Sequence, residues 1–137
     1  MTLTELNNYR SRRIQLSEEI ELLERLRDKA VPGSPGLDDM PHAPGVSDKV
    51  GSLAIAIVDL EMRIPALRQF IEETEKPVID FINSIDDDWT RIIFRLRYQE
   101  ALTWSEVADY VGAGNTADSV KKICYRYLKV DDNGWNS

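Results

Sequence analysis

From Ser119 to Lys129 the chain carries Lys121, Lys122, Arg126 and Lys129 and no acidic residue. Cations spread over three helical turns form a row of donors that can hold successive phosphate oxygens of a polyanion. Thr116, Asp118, Ser119 and Lys122 lie at the start of this stretch, where polar side chains could reach base edges in a groove. Lys121, Tyr125, Arg126 and Lys129, with Arg95 or Arg97 from further upstream, would then be backbone contacts. The competing reading of the same residues is a solvated basic face on a small helical bundle.

Other chemistry has less to stand on. Asp86, Asp87 and Asp88 are consecutive, so on a helix they point in different directions, and no second acidic motif completes a two-metal site. Acids immediately before an apolar helical pattern cap its positive end instead. The single His42 and the single Cys124 cannot build a zinc site within one chain. Cys124 falls on an apolar stripe, where a small buried thiol is the ordinary outcome. Gly112 and Gly114 follow a helical pattern, not a strand, and lack a P-loop lysine. These readings point away from an enzyme, a metal and a cofactor.

Composition sets the frame for the basic row. The chain has 137 residues and a net charge of −7, which argues against a nucleic-acid coat acting through net charge alone. The acidity lies mainly outside the row, since residues 1–85 sum to −5 and 86–137 to −2. The longest apolar run, Leu53 to Val58, is far too short for a membrane span or a signal sequence, so a reducing cytoplasm is the expected location.

The elements that must position the row read as all-α. Leu6, Tyr9, Leu16, Ile20 and Leu23 recur at helical spacing, with Arg13 as the polar break, and predict one N-terminal helix over 1–30. Prolines 32, 35, 41 and 44 with glycines 33, 36 and 45 mark 31–47 as a linker. Val50, Leu53, Ile57, Leu60, Ile64, Leu67 and Ile71 then step by 3 and 4 in an unbroken heptad seam within 48–85. Ser47 and Asp48 suit its N-cap. Pro65 predicts a kink, and Pro77 either a bend or a fresh helix start. Two such helices suggest a coiled-coil-like antiparallel hairpin, and the seam could also pair with another copy, making a homo-oligomer.

Residues 86–130 change character to three short helical segments. Trp89, Ile92, Ile93 and Leu96 give the first, ended by Glu100-Ala101-Leu102. Thr103 and Glu106 fit a capping box for the second, which carries Val107, Ala108 and Val111 inward and stops at Gly112. Asn115 or Thr116 caps the third, with Val120, Ile123, Cys124, Tyr127 and Leu128 on its inner side. Trp104 and Tyr98 read as packing residues; Trp135, in the tail 131–137, has no such assignment. Three helices in this span fit a helix-turn-helix.

The run Arg91 to Tyr98, then Leu102 to Ala108, then Val120-Lys121-Lys122 with Arg126, resembles region 4 of bacterial sigma factors, a helix-turn-helix. The whole layout, with Met40-Pro41 leading to Ser47-Asp48-Lys49-Val50 and the turn Asn115 to Val120, resembles small phage and prophage proteins of Gram-positive bacteria grouped as ArpU-like and RinA-like transcriptional regulators. The resemblance implies a phage-encoded activator of late or packaging genes that binds double-stranded DNA through its third C-terminal helix. The rival expectation is a helical interaction protein without direct DNA reading. Its partner would be host RNA polymerase or a packaging complex, much as small terminase subunits join such modules to oligomerising helices.

Overall fold

A computed structural model describes residues 1–30 and 44–131, with 44–50 described by backbone alone. His42, Trp135, most of the 31–47 linker and the side chain of Val50 lie outside the described residues. The fold is all-α: α1 spans Leu3–Ala30, α2 Pro44–Asn83, α3 Asp88–Phe94, α4 Trp104–Val111 and α5 Ala117–Leu128. A π-helical turn, Arg95–Gln99, extends α3. None of the described helices is long and apolar enough to cross a membrane.

One sequence expectation for α2 changes, and of the two alternatives left open at Pro77 one is selected. The helix starts at Pro44, upstream of the Ser47-Asp48 cap expected for it. A proline at the first helical position has its φ preset and lacks an N–H that would have no partner there, so Pro44 starts a helix well. The helix also continues through Pro77 without a fresh start, as it does through Pro65. Both prolines are exposed, where water can satisfy the carbonyl that each leaves unpaired one turn earlier.

The chain divides into two compact units, one of 15–70 and one of 1–14 with 71 onwards, so that α1 and α2 each contribute to both. In the 15–70 unit, Leu23 packs with Leu60 and Ile64, flanked by Leu16, Ile20, Leu26 and Ile57. Arg63 pairs with Glu19 at 3.1 Å and Arg27 with Glu61 at 3.7 Å across the same two helices. The heptad seam is therefore spent on α1 within the chain at Leu60 and Ile64, with Ile57 beside them. Leu53 and Leu67 are half-buried.

The second unit is built around the three short helices, but they do not supply its core alone. Leu3, Leu6 and Tyr9 of α1 and Val78 and Ile82 of α2 are buried together with Ile93, Phe94, Tyr98, Val107, Val120 and Cys124. The seam's last member, Ile71, packs against this core. Phe94 is its aromatic centre, with ring centroids 5.8 Å from Phe81, 5.6 Å from Tyr98 and 5.5 Å from Tyr127. The compact unit thus extends beyond the expected 86–130 segment to include the N-terminal part of α1 and the C-terminal part of α2.

Local signals set the short helices. Asp87 caps α3, accepting from the Thr90 amide at 2.9 Å and its hydroxyl at 2.8 Å, and these bonds hold its carboxyl below the usual range. The Thr103 hydroxyl accepts from the Glu106 amide at 3.2 Å while the Glu106 carboxylate accepts from the Thr103 amide at 3.0 Å. Gly112 ends α4 at φ 65°, ψ −146°, a conformation open essentially to glycine alone. A Cβ there would meet nothing within 4 Å, so the whole cost of a side chain is backbone strain. Gly112→Ala is expected to destabilise the protein by about 1–3 kcal/mol, read as a lowered denaturation midpoint at unchanged slope; an unchanged midpoint would contradict this account of the α4 terminus.

Candidate nucleic-acid interface

Helix α5 presents the basic row because both of its ends and its inner face are fixed. At its start the Thr116 hydroxyl accepts from the Ser119 amide at 3.1 Å, and the Ser119 hydroxyl accepts from the Thr116 amide at 2.8 Å. Ser119 also donates to Asn115 Oδ1 at 3.0 Å, and the Asn115 side-chain amide donates to the Gly112 carbonyl at 2.9 Å. The turn between α4 and α5 is thus held by its own polar side chains. At the far end Lys129 adopts the left-handed conformation, φ 61°, and caps the helix. Val120 and Cys124 are fully buried, and burial pushes the Cys124 thiol pKa up, as expected of a packing residue.

The opposite face carries the charged residues named from the sequence. Asp118, Lys122 and Arg126 follow one another at i, i+4 and i+8 and are exposed, as is Lys129. Asp118 pairs with Lys122 at 3.0 Å, an exposed ion pair of small net worth that a polyanion could replace. Lys121 is half-buried with its ammonium 5.4 Å from the Tyr125 ring centroid, and Tyr125 packs edge-on at 6.4 Å from Trp104. Tyr125 is therefore held in place from α4, leaving it half-exposed beside the row. Thr116 is exposed and Ser119 half-buried, and both hydroxyl groups are already used in the cap. Of the residues named from sequence, Lys122, Arg126 and Lys129 form the accessible cationic stripe, with Lys121 at its edge.

Arg97, expected among the backbone contacts, turns inward instead. Its guanidinium lies 4.2 Å from the Trp104 ring centroid and donates to the Leu102 carbonyl at 3.0 Å. Desolvation, then the nearby charge of Arg10, lowers its pKa. Arg97 stands one α-helical turn after buried Ile93 and Phe94 and so shares their inward face, and the helix then ends in a π-helical turn in which the Glu100 amide bonds back to the Arg95 carbonyl at 3.0 Å. Arg95 stays exposed and donates to Asn83 Oδ1 at 3.2 Å.

Sequence reasoning also missed a latch on the loop before α4. Arg10 of α1 donates to the carbonyls of Ala101 and Leu102 at 3.3 Å each, and Arg13 donates to the Gln99 carbonyl. Three arginines, with Arg97, thus converge on the carbonyls of Gln99, at the end of the π-helical turn, and of Ala101 and Leu102 in the loop after it. Arg13, the polar break in the α1 stripe, therefore faces a polar loop at that turn. Its isolation in an otherwise apolar stripe was the available signal.

Between α3 and α5 lies a shallow groove of about 450 Å³ lined by Trp89, Thr90, Ile93, Ile123, Arg126 and Tyr127, with Asp87 at its rim. Trp89 is 58% exposed there, an unusual state for so large an apolar side chain. No protein-family model, curated protein or solved structure matches the chain.

Proposed function

We propose that the protein is a DNA-binding transcriptional regulator whose α5 lies in the major groove of duplex DNA, with α4, the turn and α5 acting as a helix-turn-helix. The observation that carries this reading is the exposed stripe of Lys122, Arg126 and Lys129 on a helix whose inner face and N-terminus are rigidly held. A reader helix must be fixed in direction before its cations can meet phosphates in register. The first two turns of α5, with Asp118 and Lys122 exposed, would approach base edges, while Arg126 and Lys129 would hold the backbone. The resemblance to sigma region 4 and to ArpU-like and RinA-like proteins supports a phage-encoded activator of late or packaging genes, working in a bacterial cytoplasm.

A second reading is favoured by the groove at Trp89. There the protein would be a docking module for host RNA polymerase or a packaging complex, with affinity resting on Trp89 and Tyr127 and not on the α5 cations. Fluorescence anisotropy separates the two. Duplexes from the gene's own neighbourhood and scrambled duplexes are titrated at two salt concentrations. Sequence-preferring binding that weakens steeply with salt supports the DNA reader; no binding by the folded protein at low salt leaves the docking reading.

A further inference from the structure

Arg97, Trp104, Tyr125 and Lys121 form one continuous stack that runs from the end of α3 to the outer row of α5. The Arg97 guanidinium lies 4.2 Å from the Trp104 ring centroid, and Trp104 meets Tyr125 edge-on, with centroids 6.4 Å apart and planes at 84°. The Lys121 ammonium lies 5.4 Å from the Tyr125 centroid. Fully buried Tyr98 also meets Trp104 edge-on, at 6.3 Å and 89°. The Trp104 ring is thus held by three neighbours, and it opens α4 directly after the Thr103 cap, so its backbone is fixed as well. Packing alone does not call for an arginine at position 97. A half-buried guanidinium is costly to desolvate, and Arg10 adds a like charge, since both donate to the Leu102 carbonyl, at 3.3 and 3.0 Å. A leucine would fill the space without either cost. What the planar cation adds is direction, because it lies over a ring face and donates to a carbonyl in fixed geometry.

We propose that Arg97 is a positioning residue for DNA binding: through Trp104 it sets Tyr125 and Lys121 to hold a backbone phosphate beside the stripe of Lys122 and Arg126. This rests on the reading of α5 as the DNA-facing helix and adds a contact to it. Lys122 is paired with Asp118, whereas Lys121 makes no ion pair and the Tyr125 hydroxyl no hydrogen bond among the described residues. Both therefore keep a donor for a phosphate oxygen. A lysine free in solvent must give up rotamer freedom to hold a phosphate. Lys121, lying over an aromatic ring, has given up part of it beforehand, and an ordered donor binds more tightly than a floppy one. Arg97 stays on the Trp104 ring and touches no phosphate itself.

The test is a double-mutant cycle on duplex affinity in the full chain. Lys121→Ala/Tyr125→Phe removes both donors while keeping the ring, and is expected to lower the salt dependence by about one ion. Arg97→Lys keeps the charge and loses the plane. It is expected to weaken binding about 5-fold in the otherwise wild-type protein and less than about 2-fold in the Lys121→Ala/Tyr125→Phe protein. A general loss of fold would weaken both alike. A second readout needs no DNA: the Tyr125 ring shifts the Lys121 ε-methylene proton resonances upfield, and Arg97→Lys should return them towards those of an exposed lysine. Urea unfolding checks that each variant is folded; should Arg97→Lys not fold, Trp104→Phe takes its place in both measurements. Equal losses in the two backgrounds, undiminished affinity of Arg97→Lys, or Lys121 resonances that do not move would each overturn the proposal. A wild type that binds no duplex overturns the DNA reading and this proposal with it, an outcome visible before any variant is made.

Discussion

A fragment comprising residues 86–131 alone is expected to be unfolded, and Leu6→Ala in the full chain is expected to cost about 2–5 kcal/mol. The reason is where the core comes from. Leu6, fully buried, and Tyr9, 1% exposed, belong to α1, yet they pack with Phe94, Tyr98 and Val120 from the other end of the sequence. Val78 and Ile82 of α2 complete the same cluster. Removing residues 1–85 exposes the apolar faces of α3, α4 and α5 and withdraws several side chains worth about 1.5–3 kcal/mol each. That sum is comparable to the total stability of an ordinary domain, about 5–15 kcal/mol. Arg10 and Arg13 would leave with α1, releasing the carbonyls of the 99–102 loop as well. Circular dichroism of the fragment, and urea unfolding of Leu6→Ala, measure the two effects. A cooperatively folded fragment would show that the short helices form an autonomous module after all.

Lys122→Glu/Arg126→Glu is expected to reduce DNA affinity by about 100-fold or more, roughly 1.4 kcal/mol for each reversed charge, while leaving the fold intact. Both side chains are exposed, and the surface pair that Lys122 makes with Asp118 contributes little to stability. The double variant should also flatten the dependence of affinity on salt by about two ions, since each cation displaced from a phosphate lowers the slope by about one. Lys76→Glu serves as the control, being highly exposed on α2 in an i,i+4 pair with Asp80, and should change neither quantity appreciably. Equal losses in the two variants would point to a diffuse charge effect. Loss confined to the α5 variant points to a local contact.

The parts of this architecture that were legible in the sequence are those set by neighbours within a few residues. Thr103 with Glu106, and Gly112 behind Val111, announce the ends of α4 because a cap needs only one turn of chain. The inner stripe of α5 is legible for the same reason, since Val120 and Cys124 share a face by spacing alone. Arg97 was misplaced because the inner face of α3 was read from Trp89, Ile92, Ile93 and Leu96, whereas the buried face runs through Ile93, Phe94 and Tyr98, which by α-helical spacing includes Arg97. The joining of Leu6 and Tyr9 to the C-terminal helices is a contact across most of the chain, which periodicity cannot register. Periodicity likewise showed that α2 had an apolar seam without showing which partner would take it. The more regular seam went to α1, and Ile55, Val58 and Met62 on the opposite face remained exposed.

The claim that α5 is the element that meets DNA is tested most directly by nuclear magnetic resonance, following backbone amide shifts as a duplex is added to labelled protein. The largest changes are expected in the turn and along α5, from Thr116 through Lys122 and Arg126 to Lys129, with smaller ones at the start of α4 and little at Trp89 or along Ile55 to Met62. Changes centred on Trp89 and Tyr127 with α5's outer face silent, or no changes at all at low salt, would contradict the account.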